Sequence, residues 1–303
     1  MFKNFKNLGP ALIVFAAILW SIDGILRRSL YSLPAPVVVF YEHLIGFIIL
    51  FPLLIPHIKL VKKIKPKVWG AFFWVTLLGS ILGTIFYTSA LGMVNYIQFS
   101  AVVLLQQTQP LFAVFFAGLI LKEKIDKKFF LYLVLALAGA YLVSFPNLSV
   151  NWQDDSKTIM AALLAMGAAF AWGSSTAFGR YGLLEVPAIL GTGLRFGLAT
   201  ILGILAVYLT GSQGSLMALD LTQWFTLMTI ALSTGMVALA IYYYGLKKTP
   251  AHISAICELT WPVSAIAIDY FYFQKPLSET QILGALILTL TILKVTRLAR
   301  KTL

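Results

Sequence analysis

The sequence predicts an all-α polytopic membrane protein with ten transmembrane helices, and three observations predict it. Of its 303 residues, 60% are hydrophobic and only 11% are charged, whereas a soluble domain carries about 25% charged residues. Ten apolar segments approach the length of about 20 residues that crosses a bilayer. Short motifs from the first half of the chain also return in the second half.

The ten segments follow one another with short connections that leave no room for a soluble domain. The first resembles a signal peptide because Lys3 and Lys6 precede it. No small-residue cleavage site follows it and further apolar segments do, so it is predicted to be a transmembrane helix. The predicted spans are Gly9–Leu26, Ala35–Pro56, Val68–Leu91, Gln98–Leu121, Phe129–Phe145, Ile159–Phe178, Ala188–Leu209, Trp224–Leu246, Ala251–Phe273 and Gln281–Leu298.

The basic residues predict how these helices are oriented. If the N-terminus is cytoplasmic, 18 Lys and Arg residues fall on the inner side and four on the outer side. Because such an excess marks the cytoplasmic side, we expect both termini in the cytoplasm. The net charge of +12 is explained by these basic residues of the cytoplasmic side, which face the anionic lipids of the bilayer. No nucleic-acid partner is expected, since no basic stretch is interleaved with aromatic residues.

The two halves of the chain share motifs in the same order. "ILWSIDGILRR" near the start corresponds to "AFAWGSSTAFGR" from Ala169, and later matches lie 152 to 155 residues apart. The matched pairs include Trp20 with Trp172, Arg28 with Arg180, His43 with Arg195, Tyr87 with Tyr242, and Pro110 with Pro262. Five spans in each copy, an odd number, predict an inverted repeat of the kind that alternating-access transporters share. We expect the copies at residues 1–150 and 151–303.

On these motifs, and on the paired helices "TQPLFAVFFAGLILKEKI" and "LTWPVSAIAIDYFYFQKPLS", the chain resembles EamA-type members of the drug/metabolite transporter superfamily. The resemblance covers nearly the whole chain. It implies a bacterial inner-membrane carrier, many of which export amino acids or related metabolites, with a central cavity between the two halves. One departure is that the family's Gly-Glu after helix 4 reads Lys122-Glu123, while the second copy has Gln274-Lys275 and no acid.

Acidic residues inside predicted spans are the first candidates for a site, because a charge at mid-membrane costs about 2.5–3.5 kcal/mol. Asp23 is followed four residues later by Arg27, so an ion pair within the helix is one interpretation. A cavity-facing position beside Trp20 is the other. Glu42 is also a candidate, whereas its neighbour His43 and the repeat partner Arg195 favour a structural role between helices.

Helix 9 carries the most informative candidates. Glu258 precedes Trp261 and Pro262, and the proline interrupts the backbone hydrogen bonds of the helix. We expect Glu258 and Trp261 to line the substrate path; the alternative is interhelical hydrogen bonding, worth about 0.6–1.7 kcal/mol a pair. Glutamines before the helix 4 proline and aromatic residues inside spans extend the group. The predicted substrate-binding residues are Trp20, Asp23, Glu42, Tyr87, Gln106, Gln109, Trp172, Ser175, Tyr242, Glu258 and Trp261.

These features favour a transporter over an enzyme. The sequence has no metalloprotease, nucleophile-elbow or nucleotide-binding motif and only one cysteine, Cys257, so we expect neither catalysis, cofactor nor metal. The prediction is a secondary transporter that moves a small polar or zwitterionic metabolite, an amino acid or relative, by alternating access, in the direction of export. A proton is the candidate coupling ion, and the chain is expected to be a monomer or weak homodimer. Cationic drugs or nucleoside-like metabolites are alternative substrates, and a non-transporting receptor or scaffold is the alternative class.

Overall fold

The structure, a computed structural model, describes residues 8–30, 32–93, 102, 105–145, 156–272, 274 and 276–302. Every regular element in these ranges is helical. The α-helices, in chain order, are α1 Gly9–Leu26, α2 Ala35–Leu54, α3 Ile58–Val61, α4 Pro66–Trp74, α5 Gly83–Gly92, α6 Gln109–Leu121, α7 Lys127–Ser144, α8 Ser156–Glu185, α9 Ala188–Leu209, α10 Leu221–Leu232, α11 Met236–Lys248, α12 Ala251–Glu258, α13 Thr260–Phe271 and α14 Glu279–Thr302. A π-helical segment, Val75–Leu82, joins α4 to α5.

Eight helical stretches in the described part of the chain are long and apolar enough to cross a membrane. They are Ala35–Val61, Pro66–Ala90, Lys127–Ser144, Ile159–Glu185, Ala188–Leu209, Leu221–Lys248, Ala251–Ile268 and Glu279–Leu298. The predicted first and fourth spans correspond to the shorter apolar helices Gly9–Asp23 and Gln109–Leu121. The fourth span was predicted from Gln98, and most of its first turns lie outside the described residues. The all-helical membrane fold is therefore confirmed, while the count of ten spans stays a prediction.

Three of the spans are not continuous α-helices, contrary to the simple segments that hydropathy predicts. In the predicted span Trp224–Leu246, α10 ends and α11 begins four residues later. The backbone N–H groups of Ser233 and Gly235 both donate to the carbonyl of Ile230, at 3.1 and 2.7 Å. This doubling breaks the regular pattern in which each N–H bonds the carbonyl four residues before it.

The ninth span is interrupted about one helical turn before its proline. α12 ends at Glu258 and α13 begins at Thr260, so Pro262 stands in the first turn of the second helix. A proline is tolerated there because the N–H groups of a first turn have no partner in the helix. Pro110 occupies the same kind of place in the first turn of α6. In both halves of the chain, the proline thus begins a new helix at mid-span.

The two halves of the chain pack against each other rather than forming separate bundles. The most extensive helix pairs are α2 with α9, α7 with α14, α6 with α8, and α1 with α11, and each joins one helix from either half. Phe72, Phe196 and Tyr243 are among the largest fully buried side chains, and they belong to one hydrophobic cluster that includes residues of both halves. The centre of the molecule is therefore an interface between the halves.

Helices α7 and α14 touch through their backbones. A Cβ atom placed on Gly139 would lie 3.0 Å from the carbonyl oxygen of Gly284, and one placed on Gly284 would lie 2.8 Å from the carbonyl oxygen of Gly139. Such close approach needs small residues on both helices. The Gln281 side-chain amide also donates to the carbonyl of Val143 at 3.3 Å, so the two helices run antiparallel from this crossing.

Candidate functional site

The carboxylate of Glu258 lies at the meeting point of several helices. It accepts hydrogen bonds from the Tyr242 hydroxyl at 2.7 Å, from the Gln109 amide at 2.6 Å and from the Thr176 hydroxyl at 3.3 Å. These donors stand on α11, α6 and α8. Both broken spans contribute here, because Glu258 is the last residue of α12 and Gln109 is the first residue of α6.

Two further predicted residues, Trp20 and Gln106, join this group, which we call the Glu258 cluster: Trp20, Gln106, Gln109, Thr176, Tyr242 and Glu258. The Gln106 amide donates to the side-chain oxygen of Gln109 at 3.0 Å. The ring of Trp20 lies 5.1 Å from that of Tyr242, with 54° between the ring planes. Tyr242 is only 4% exposed. The cluster offers an acidic group, amides, hydroxyls and two aromatic rings in one place.

A second group surrounds Trp172, the repeat partner of Trp20. Its indole N–H donates to the carbonyl of Gly79 at 3.0 Å, and its ring lies 5.4 Å from that of Tyr87. Gly79 belongs to the π-helical segment, where the backbone is irregular. Ser175, on the next turn, bonds the carbonyl of Ala171 in its own helix at 2.6 Å. The structure thus brings Tyr87 and Trp172 together, and Ser175 lies against Gly79.

Asp23 forms the ion pair with Arg27 that was one of its two interpretations, and Arg27 also bonds a second acid, Glu42. The other interpretation, a cavity-facing position beside Trp20, stays a prediction. Arg27 bonds the Asp23 carboxylate through its Nε atom and the Glu42 carboxylate, 2.7 Å away, through a terminal nitrogen. The Thr234 hydroxyl donates to the other Asp23 oxygen at 2.6 Å. Thr234 reaches it from the interruption between α10 and α11. Asp23 and Glu42 are therefore held apart from the Glu258 cluster, in an ion-paired group of their own.

His43 and Arg195 take the interhelical positions that were expected of them. A ring nitrogen of His43 lies 2.7 Å from the carbonyl of Val39, and its ring lies 4.9 Å from that of Phe196. Arg195 donates to the Ser80 hydroxyl at 2.9 Å. Both residues connect neighbouring helices rather than the members of the Glu258 cluster.

A partly buried ion-paired group links the two halves at the C-terminal end of α11. Glu123, just beyond α6, lies 3.1 Å from Arg180 and 2.5 Å from a ring nitrogen of His252. The backbone N–H of Ala251, at the start of α12, donates to it at 2.8 Å. Burial acts to raise the pKa of Glu123, but the hydrogen bonds from His252 and Ala251 outweigh it and hold that pKa below its usual range. Arg180 also donates to the carbonyl of Leu246 at 2.6 Å.

Helix α11 and its two ends contact all three groups in order. Thr234 bonds Asp23, Tyr242 bonds Glu258, and the carbonyl of Thr249 accepts from Arg180. At 1.5 Å per residue, about 12 Å separates the first two positions and about 10 Å the next two. The Glu258 cluster therefore lies between the two ion-paired groups along this helix.

Sequence reasoning missed some members of these groups. Thr176 lies four residues after Trp172, so helical spacing alone places the two on one face, and this signal was available. Thr234 carried no such signal because its contact with Asp23 depends on the interruption of the helix. Trp261, which was predicted to share a side with Glu258, is half-buried in the first turn of α13, beyond the break at Leu259. Within the described ranges, no group of three or more His, Cys, Asp or Glu residues is placed to hold a metal ion.

A multi-pass helical chain whose two halves enclose a central polar cluster, with ion-paired groups towards either end, has the architecture of a membrane transporter. The model of the EamA-like transporter family matches residues 7–145 and again 159–297. The chain belongs to this family, and so to the drug/metabolite transporter superfamily that its motifs resemble. The family and the names of its members indicate a transporter rather than an enzyme.

Individual relatives agree with this assignment. The chain is 34% identical over 292 residues, 96% of its length and 98% of the relative's, to riboflavin transporter ImpX of Fusobacterium nucleatum subsp. nucleatum. It is 23% identical to protein LicB of Haemophilus influenzae, over 91% of this chain and 93% of that protein. A solved crystal structure matches with a TM-score of 0.77 at 18% identity, covering 97% of this chain and 98% of its own. At that identity, the structural likeness shows the shared fold.

Proposed function

We propose that the chain is a secondary transporter that works by alternating access between two inverted five-helix repeats, residues 1–150 and 151–303. Its substrate site is the Glu258 cluster. The ion-paired groups are the gates: Asp23, Arg27 and Glu42 close one end, and Glu123, Arg180 and His252 close the other. Opening one gate at a time exposes the central site to one side of the membrane, which is how alternating access operates.

The placement of the helix irregularities supports the repeat. An offset of 155 residues puts the interruption at Ser233–Gly235 onto 78–80, inside the π-helical segment. The offset of 152 puts Pro262 onto Pro110, and each begins a half-helix. Helix packing follows the same rule: α1 of the first copy packs on α11 of the second, and its repeat equivalent α8 packs on the π-helical segment and α5 of the first copy. Two copies of one unit explain these paired features.

Contacts between the repeats support it further. Thr234 bonds Asp23 at 2.6 Å. The repeat equivalents of Thr234 and Asp23 are Gly79 and Ser175, and a Cβ atom on Gly79 would lie 2.7 Å from the Ser175 hydroxyl. The same two helix positions thus touch in both of these contacts between the copies, although only the Thr234–Asp23 contact is made by a charged and a polar side chain. This asymmetry gives the two ends of the transporter different gates.

For the substrate we propose riboflavin or a closely related flat heteroaromatic compound. The observation that carries the proposal is the Glu258 cluster itself, in which the amide of Gln109, bonded to that of Gln106, reaches Glu258 from one side and Tyr242, packed against Trp20, reaches it from another. An amide offers one donor and one acceptor side by side, which matches the imide edge of a flavin ring, and aromatic side chains stack on flat rings. The 34% identity to a relative named as a riboflavin transporter points to the same compound.

Titration of the purified protein with riboflavin, followed by flavin fluorescence, tests this proposal. Trp20→Leu should weaken binding at least about tenfold, which corresponds to about 1.4 kcal/mol. Trp224→Leu is the matched control, since this tryptophan is 40% exposed and contacts Tyr41 rather than the cluster. The substrate assignment is wrong if riboflavin does not bind, or if both variants bind it as the wild type does.

An amino acid or related zwitterion is the second candidate, and the carboxylate of Glu258 favours it. A partly buried carboxylate that already accepts three hydrogen bonds provides a negative partner for a substrate amine. A panel of amino acids added to the riboflavin titration separates the candidates. Displacement of bound flavin by an amino acid, or stabilisation by an amino acid alone, would transfer the assignment. Counterflow into proteoliposomes at several pH values would then show whether net movement is export and whether a proton is coupled to it.

We propose that the protein resides in a bacterial inner membrane with both termini in the cytoplasm, on the ratio of 18 to four basic residues. Reporter fusions after Lys65 and Lys127 should then report the cytoplasm, and fusions at Ser215 the outside. Reversal of two of these reporters would contradict both the orientation and the inverted repeat.

A further inference from the structure

We propose that an anionic phospholipid binds in a groove between α7 and α14, on the membrane-facing surface and away from the substrate site. The groove encloses about 390 Å³ and is lined chiefly by Tyr132, Leu135, Leu290, Leu293, Lys294 and Arg297. This lipid site does not depend on which substrate the protein transports.

The crossing of the two helices explains why a groove exists here. α7 and α14 are in backbone contact at Gly139 and Gly284. Tyr132 lies seven residues before one glycine and Leu290 six residues after the other, so the groove is about 10 Å along the pair from the crossing. Larger side chains hold the helices apart there and leave space between them.

The walls of the groove have the chemistry of an acyl-chain site. Leu135, Leu290 and Leu293 are 38%, 65% and 47% exposed. On a span that crosses a bilayer, such exposed leucines face lipid tails. Tyr132, at the side of the groove, has the amphipathic ring that is enriched at the level of lipid headgroups. A lipid tail in this groove would cover apolar surface from both helices.

One end of the groove carries basic charge. Lys294 and Arg297 are three residues apart, so their side chains leave the same face of α14 about 5–6 Å from each other. Because the helices are antiparallel, Lys127 and Lys128 at the start of α7 lie towards the same end. This spacing suits one phosphate between two cations, since Arg and Lys are both strong phosphate donors.

The acids nearby do not neutralise this charge. Asp126 caps α7 by accepting the backbone N–H of Lys128 at 3.1 Å, and Glu123 is held by Arg180 and His252. Glu279, the acidic residue of α14, lies at the opposite end of that helix. Basic pockets between transmembrane helices on the cytoplasmic side bind anionic headgroups, and the proposed orientation places this end of both helices in the cytoplasmic leaflet.

The test measures lipid binding to the purified full-length protein by native mass spectrometry, with phosphatidylglycerol and phosphatidylcholine of equal chain length. Wild type should prefer phosphatidylglycerol. Lys294→Gln with Arg297→Gln should lose at least tenfold in phosphatidylglycerol affinity. The matched control, Lys59→Gln with Lys62→Gln, removes two equally spaced exposed lysines from the same predicted side and should keep wild-type binding.

A second variant tests the contribution of the acyl chain to binding separately from that of the headgroup. Leu135→Trp fills the groove without changing charge and should also weaken binding about tenfold, while glycerol phosphate without acyl chains should not bind detectably. Equal binding of both lipids to wild type, unchanged binding by the Lys294 and Arg297 variant, or an equal loss in the control variant would each overturn the site. Riboflavin binding should be unaffected in all these variants, so failure here is distinguishable from failure of the substrate assignment.

Discussion

The hydrogen bond between Tyr242 and Glu258 permits the sharpest test of the central cluster. The Tyr242 hydroxyl lies 2.7 Å from the carboxylate, and Tyr242 is only 4% exposed. A hydrogen bond to a charged group is worth about 1.5–3 kcal/mol. A double-mutant cycle of Tyr242→Phe and Glu258→Gln should therefore give a coupling energy of about 1.5–3 kcal/mol in substrate-free protein.

The neighbouring tyrosine provides the control. Tyr243 is also fully buried, but its hydroxyl accepts from Arg195 at 3.3 Å rather than bonding Glu258. The cycle of Tyr243→Phe with Glu258→Gln should give a coupling energy below about 0.5 kcal/mol, as expected for residues that share no contact. Reversible unfolding in detergent, followed by tryptophan fluorescence, supplies the free energies for both cycles.

Substrate affinity, measured on the same variants, completes the test. If Glu258 contacts the substrate, Glu258→Gln should weaken riboflavin or amino-acid binding per folded molecule by about tenfold or more. If it only joins helices, stability should fall while affinity stays unchanged. A coupling energy near zero for Tyr242 and Glu258 would refute the geometry of the cluster, and unchanged affinity would remove Glu258 from the substrate site.

Three further predictions concern the gates and the second tryptophan. Glu123→Gln should destabilise the protein by about 1.5–3 kcal/mol at pH 7. Because the pKa of Glu123 is lowered in the folded protein, its contribution to stability is fully present above the ordinary pKa of 4.5 and is lost as pH falls through the lowered value. Wild-type and variant unfolding midpoints should therefore converge in acid; a difference that stays constant with pH would contradict this. Thr234→Val removes a hydrogen bond to Asp23 and should change transport in proteoliposomes while leaving equilibrium riboflavin affinity within about twofold; a larger loss of affinity would place Thr234 in the site. Trp172→Phe removes the N–H that bonds Gly79 and should lower thermal stability without loss of riboflavin binding; the opposite pattern would make Trp172 a substrate contact.

Sequence patterns predicted the helical class and the motif pairs because hydropathy and residue order are local properties. They also predicted most residues of the Glu258 cluster: Trp20, Gln109, Tyr242 and Glu258 were all candidates before the structure. The grouping of the acids was less accessible. Arg27 is four residues from Asp23, and an ion pair between them was one of two interpretations, but the approach of Glu42 depends on how α1 and α2 pack, which no local spacing reveals.

The interruptions of the helices explain the remaining differences between the predicted spans and the structure. A break at Pro262 was predictable, since proline cannot continue a helix in the ordinary way, although its position one turn earlier was not. The interruption near Thr234 contains no proline and arises from two N–H groups sharing the Ile230 carbonyl. The position of this interruption depends on tertiary packing and on the contact with Asp23, so hydropathy predicted an unbroken span there.

The glycine crossing of α7 and α14 has a consequence for movement. Backbones that touch through Gly139 and Gly284 have no intervening side chains that can change rotamer, so relative sliding of these two helices would force carbonyl groups into contact. We therefore expect this pair to remain a rigid frame while the helices that carry Trp20 and Trp172 change their separation. Spin labels on exposed positions of α7 and α14 should report one narrow distance distribution in every state of the cycle. Labels on α1 and α8 should report at least two distances. A broad distribution for the α7–α14 pair would instead show that these two helices move relative to each other.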